Sequence, residues 1–275
     1  MQGVSRDTFA GGQERLEALL TAGRAAGRVD AAALGEDLFG VTGLLTANPG
    51  LRRAFTDPSR DGGARAEFAA RLLGGKVAGE VVELVAALVT GRWSRAGDLT
   101  DAVEGLAVTA VLAGAEAAGR LEDVEDELFR FSRTVAADQR LRDAFSSRTE
   151  GTDRKETLVR RLLADRVAPE TLRLAVQAAV APRGLRTEQA LEYFVEAVAS
   201  RRRQLVAHVV AALPLTEAQR ARLGEILRRQ YGRPIRLNID IDPDVVGGIR
   251  VEVGGEVVDG TVSTRLDDAR RRLAG

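Results

Sequence analysis

The sequence predicts a mainly α protein, two tandem helical bundles followed by a small α/β domain, and three observations carry that expectation. Through residue 203 the apolar residues recur three or four apart, as in Leu121, Val124, Leu128, Phe131 and Val135, the spacing of one helix face. The chain repeats itself at an offset of ninety residues. From residue 205 onward the pattern changes to strict alternation with paired glycines, the period of strands.

The repeat comes first along the chain. Setting residues 39–84 against 129–174 without a gap gives thirteen identities, among them Phe39/Phe129, Leu51/Leu141, Phe55/Phe145, Leu72/Leu162, Leu73/Leu163 and Leu84/Leu174. Chance gives roughly four or five in this composition, so duplication is the simpler account. A two-residue gap extends the match upstream, pairing AAGRVDAAALGEDLF with AAGRLEDVEDELF. Leu51/Leu141, Phe55/Phe145, Leu72/Leu162 and Leu73/Leu163 stand at core spacing, so both copies should fold as bundles. Asn48-Pro49, Pro58 with Gly62-Gly63, Gly151, and Pro182 with Gly184 mark the breaks between helices, as turn residues do. No low-complexity linker separates the copies, and the helix around Ala102 to Ala118 is expected to run into the second. The expected division is 1–104, 105–204 and 205–275.

In the last segment, Leu205 to Leu213 is an apolar, partly β-branched run ended by Pro214, a strand. Thr216 and Gln219 have the spacing of a capping box at a helix start. Leu223, Ile226, Leu227 and Tyr231 form that helix's apolar face, and Gly232 with Pro234 stops it. In IRLNIDID the apolar Ile235, Leu237, Ile239 and Ile241 alternate with polar residues, a half-buried strand. Ile249, Val251 and Val253 continue the alternation, and a return strand begins at Val257. Gly247 and Gly248 permit a turn or bulge, and Gly254 and Gly255 a two-residue hairpin turn. A short helix from Leu266 to Leu273 is expected to close the chain.

Composition excludes several chemistries. There is no Cys, hence no disulfide or thiolate site. Forty basic and forty acidic residues balance, whereas a nucleic-acid binder shows a basic excess. The longest uncharged stretches fall short of the roughly 20 residues a bilayer span requires, and MQGVSRDTF lacks the apolar core of a signal peptide. The reading is a soluble cytoplasmic protein that meets a membrane through partners alone.

Candidate sites fail one by one. Gly74-Gly75-Lys76 lacks the hydroxyl residue and first glycine of a phosphate loop and reads as an interhelical loop. Asp240, Asp242 and Asp244 alternate like a calcium loop, but Val245 and Val251 stand at its obligatory Gly and Glu positions. His208 is the only histidine, which leaves no pair for a metal, and it reads as a polar position at a sheet edge. Trp93, between Arg92 and Arg95, suits a partner anchor and suits a core position better. No catalytic residue, cofactor or metal is expected.

The C-terminal strings ALPLT (212–216), DPDVVGGIRVEVG (242–254) and VVDGTVSTRL (257–266) resemble the δ subunit family of F-type ATP synthases, whose mitochondrial members are the oligomycin-sensitivity-conferring proteins. Leu121, Val124, Glu127, Leu128, Leu141, Arg142, Phe145, Lys155, Leu158 and Leu162 extend the resemblance into the second bundle, which matches the family's six-helix N-terminal domain. The family's usual aromatic opening is absent near Ala107. The first hundred residues are additional, similar to the longer actinobacterial forms.

The resemblance implies a non-catalytic subunit of the peripheral stalk, on the cytoplasmic face of the bacterial plasma membrane. Its helical part would grip the α subunits of the catalytic head, with β adjacent, and its C-terminal domain would meet the b subunits. It also implies where α binds: a groove of the second copy lined by Leu106, Ala110, Ala113, Leu172, Ala175, Val176 and Ala179. The bundles alone are equally compatible with a helical-repeat adaptor or transcriptional regulator, which a basic recognition helix would favour. None is evident.

Overall fold

Eleven helices precede the first strand among the described residues, and local signals set several of their ends. They are α1 (Val4–Ala26), α2 (Ala31–Ala47), α3 (Pro49–Thr56), α4 (Gly62–Leu73), α5 (Gly79–Thr90), α6 (Ala96–Ala117), α7 (Leu121–Ala137), α8 (Gln139–Ser146), α9 (Thr152–Leu163), α10 (Pro169–Val180) and α11 (Thr187–Arg203). Pro49 and Pro169 occupy first-turn positions of α3 and α10, where the missing N–H costs nothing. Asp30 caps α2 by accepting from Ala32 N and Ala33 N, and Asp138 caps α8 by accepting from Arg140 N and Leu141 N. This computed structural model describes residues 3–26, 30–147, 151–203, 205–231, 235–242, 248–253 and 256–259. They divide into two compact units, 1–199 and 200–275.

The duplication is visible in three dimensions. At positions ninety apart, Asp37 accepts from Ala78 N at 2.7 Å and Glu127 from Ala168 N at 2.9 Å, so each carboxylate ties the second helix of its copy to the start of the fifth. Arg65 donates to the Phe55 carbonyl at 3.2 Å, and Lys155 to the Phe145 carbonyl at 2.5 Å. Leu45, Phe55, Leu73, Val135, Phe145 and Leu163 are buried in one apolar core that runs through both copies. Among the residues expected in the core, Leu51, Leu72 and Leu141 are half-buried, and Leu162 is exposed. The sequence expectation for Leu162 is therefore corrected: its helix face points outward in the second copy.

α6 explains why the copies do not separate. Nearly every residue from Asp98 to Ala115 is buried, and a helix covered on all sides must be surrounded. It packs against α1, α2, α3 and α5 of the first copy and against α7 and α10 of the second. The expected boundary at 104/105 falls inside α6, which serves as the last helix of one copy and the first of the next. The uninterrupted helix expected around Ala102 to Ala118 is this element.

The small unit holds β1 (Leu205–Ala211), α12 (Glu217–Tyr231), β2 (Ile235–Ile241), β3 (Ile249–Val253) and β4 (Glu256–Asp259). The sheet order is β2-β1-β3-β4, with β1 and β2 parallel and the other pairs antiparallel. A parallel pair needs a crossover, and α12 supplies it. The capping box is present: Gln219 N donates to Thr216 Oγ1 at 3.3 Å and Thr216 N to Gln219 Oε1 at 2.9 Å. Leu223, Leu227 and Tyr231 pack with Leu237, Ile239, Val251 and Val253. Ile226 and Ile241, expected on the apolar faces, are exposed. Gly248 has φ +86°, the left-handed conformation expected of a turn glycine. Gly247, Gly254, Gly255 and the expected helix at Leu266–Leu273 lie outside the described residues.

Candidate partner interface

The residues expected to line a partner groove are covered within the chain itself. Leu106, Ala110, Ala113, Ala175, Val176 and Ala179 are all buried, and Leu172 is half-buried. α2 packs on a neighbouring face of α6, that of Ala107, Val111 and Gly114, and meets α10 at Arg173. A Cβ on Gly35 would stand 2.8 Å from Val111 Cγ2 and 3.5 Å from the Ala107 carbonyl oxygen, and Ala31 Cβ is 3.8 Å from the Cβ position of Gly114. Small residues on both helices allow this approach. On the α10 side, Glu36 accepts from Arg173 Nε, and the Arg173 guanidinium lies 4.1 Å from the centre of the Phe39 ring, a cation–π contact. The sequence noted Phe39 as half of an identical pair but gave no sign of its cover. The detectable signal was the small-residue stripe Ala31, Gly35 on a helix start.

The corresponding positions of the first copy are mixed: Val85 and Val89 are buried, Val82 and Ala86 half-buried. α1 runs antiparallel to α5, with Thr8 Oγ1 donating to the Arg92 carbonyl at 3.1 Å and Gly12 packed on Leu88. Continuing that register brings Leu19 level with Val82, and both are half-buried, as are Ala18 and Ala86; Ala22 and Glu83 are exposed. Apolar side chains thus lie half-buried along the outer edge of the α1–α5 contact.

The other sequence candidates take structural places. Trp93 is half-buried and donates Nε1–H to the Leu88 carbonyl at 3.0 Å. Gly75 adopts φ +71° in the α4–α5 turn. His208 is exposed on β1 between Asn238 and Glu252; β1 is a central strand, so the expected edge position is corrected to the solvent face of the sheet interior.

One cluster went unnoticed in the sequence. Arg183, at φ +49° after α10, donates to Asp101 and to Glu104 on α6, and Gln177 Nε2 donates to Glu104 Oε1 at 3.2 Å. Burial alone would lower the Arg183 pKa, but its hydrogen bonds and charge pairing with Glu104 and Asp101 outweigh that and raise it. A cavity of about 300 Å³ beside them is lined also by Leu185, Tyr193 and Phe194. Its charged groups are paired with one another, an arrangement that locks the α10–α11 connection onto α6.

These surfaces acquire a context from known proteins. The profile of the family "ATP synthase delta (OSCP) subunit" matches residues 107–273. An ATP synthase subunit delta of Kineococcus radiotolerans is 54% identical over 99% of this chain and 98% of its own length. The chain belongs to the ATP synthase delta (OSCP) subunit family. Two further relatives match over the whole length: ATP synthase subunit delta of Streptomyces griseus is 48% identical, and that of Acidothermus cellulolyticus 42%, each over 100% of both chains. The family profile begins inside α6, whereas these delta subunits match the first copy as well. The first copy is therefore common to this set of delta subunits and lies outside the part the family profile describes.

Proposed function

We propose that the chain is a non-catalytic subunit of the peripheral stalk of a proton-translocating ATP synthase. In this reading the helical unit holds the catalytic head, through α with β adjacent, and the α/β unit meets the b subunits, at the cytoplasmic face of the plasma membrane. The observation that carries it is the match to delta subunits over the full chain, on a molecule built as two separate units. Two modest contacts joined in one chain gain avidity from their high effective concentration. Buried α6, common to both copies, makes the head-binding unit a single rigid body, as a stator requires. No described helix is long and apolar enough to cross a membrane, so attachment through partners suits the chain.

Fragments 1–204 and 205–275, each mixed with purified head and with b subunits, test the division of labour. Co-sedimentation of the first with the head and of the second with b is the expected result. Retention of the head by 205–275 alone would reverse the assignment.

A further inference from the structure

The joint between the copies contains a clasp that recurs, unfilled, on α7. On α2, Glu36 and Phe39 stand one turn apart and together hold Arg173, whose Nε donates to the Glu36 carboxylate while its guanidinium lies 4.1 Å from the centre of the Phe39 ring. Ninety residues on, α7 repeats the carboxylate and the ring as Asp126 and Phe129. Both are exposed, and no described residue brings a guanidinium to them. Arg130, one turn on, donates Nε–H to the Asp126 carbonyl rather than to its carboxylate. α7 also carries Arg133 where α2 has Gly43, exposed and without an ion-pair partner among the described residues.

We propose that this face of α7 pairs with the same face of a second copy of the chain, antiparallel about a two-fold axis at Phe129. At 3.6 residues per turn, Asp126, Phe129 and Arg133 fall within about 60° of one another around the helix, so one contact can use all three. Antiparallel packing about that axis sets residues before Phe129 on one copy against residues the same distance after it on the other. Asp126, three residues before, therefore meets Arg133 of the second copy, four residues after, and the symmetry makes this ion pair twice. Each Arg133 also reaches the ring of the opposite Phe129, a cation–π contact that reproduces between chains what Arg173 does for Glu36 and Phe39. Within one copy Asp126 and Arg133 are about 10 Å apart along the helix axis, so neither satisfies the other.

The same residues oppose the other way of joining two copies. In head-to-tail addition α7 of one chain would meet α1 and α5 of the next as α2 meets α6 and α10, and the residue in the place of Arg173 is Glu83. A carboxylate would then face Asp126, and Glu125 would stand where Gly35 permits close approach to Val111. Growth into open chains is thereby disfavoured by charge and bulk, whereas the two-fold contact closes on itself. One helix face buries less than the roughly 1,200 Å² of a stable complex, so the pair forms at high concentration and a dilute chain is single.

Sedimentation velocity of the full chain, from about 10 μM to about 1 mM as the small contact area requires, tests the proposal. A reversible monomer–dimer equilibrium that weakens with added salt is expected. Asp126→Arg and Arg133→Glu each set like charges against one another at both contacts, and each should abolish the dimer with unchanged far-ultraviolet circular dichroism. An equimolar mixture of these two variants restores opposite charges at both contacts and should dimerise as the unaltered chain does. Phe129→Ser removes the central ring and should weaken dimerisation roughly tenfold. An unaltered chain that stays monomeric throughout the range, a dimer that survives both charge variants, or a mixture that fails to dimerise would each overturn the pairing. A chain that stays monomeric but loses binding to the purified head on Asp126→Arg would assign the clasp to an arginine of another subunit, and would overturn the proposal while leaving the stalk reading intact.

Discussion

Phe39 and Phe129 are the same residue at the same place in two copies of one fold, yet one is 5% exposed and the other 55%. The difference lies in what each copy has beside it. Phe39 sits on α2, which the second copy covers with α6 and with Arg173; Phe129 sits on α7, which ends the array. Tandem units bury their faces against neighbours, and the terminal face must be made soluble. Here the conversion is legible at one residue: Gly35 of α2, buried against Val111, corresponds to Glu125 of α7. Duplication preserved the core while one copy's outer face became an internal joint and the other's became a polar cap.

The sharpest way to break this comparison is to give α2 the residue α7 carries. Gly35→Glu would place a carboxylate against Val111 and the Ala107 carbonyl, where even a Cβ lies 2.8 Å from its neighbour. Overpacking and burial of an unpaired charge each destabilise; together a loss of about 3 kcal/mol or more is expected. The mirror change, Glu125→Gly in α7, removes a half-buried side chain without creating a clash and should cost about 1 to 2 kcal/mol, mostly helix propensity. Urea unfolding of both variants checks the contrast, and equal losses would mean that α2 and α7 are not the buried and exposed versions of one element.

Next in size is the aromatic pair itself. Phe39→Ala empties a site within the continuous core and should cost about 3 kcal/mol. Phe129→Ala removes a ring that is mostly in water and should stay within about 0.5 kcal/mol. Thermal and denaturant midpoints read this directly; a large loss at Phe129 would reveal a cover for α7 that the comparison denies.

How far the sequence reaches follows from the same residues. Period and turn chemistry are local, so the helical bundles, the capping box at Thr216 and Gln219, and the alternation of Ile235 to Ile241 can be read from the string. The repeat is also readable, because core positions such as Phe55 and Phe145 must be filled alike in both copies. What no local pattern states is which copy covers which. Leu106, Ala110 and Ala175 have the spacing of an open apolar face, yet all three are buried; that α2 packs on the adjoining face of α6 depends on the absence of a side chain at Gly35 and on a contact between Glu36 and Arg173, 137 residues apart. Leu162 illustrates the same limit, since identity with Leu72 carries no information about neighbours. The Arg183 cluster was equally hidden, because its partners Asp101 and Glu104 sit 82 and 79 residues away.

The smallest expected effect is at the polar seam of the joint, where Arg173 bridges Glu36 and covers Phe39. The Glu36 side chain is 57% exposed and that of Arg173 21%, so solvent screens the pair and its net contribution falls in the range of about 0.2 to 1 kcal/mol. The cation over the ring adds roughly 0.5 to 1 kcal/mol at such a site. A double-mutant cycle with Arg173→Ala and Glu36→Ala should give a coupling of about 0.5 kcal/mol that shrinks in 1 M salt, because the ion pair alone joins those two residues. The cycle of Arg173→Ala with Phe39→Leu should give a coupling of similar size that salt barely changes, since the ring contact is partly shielded beneath the guanidinium. If neither cycle shows coupling, the joint is held by the Gly35 approach and apolar burial alone, and Arg173 acts only as a boundary between the seam and water.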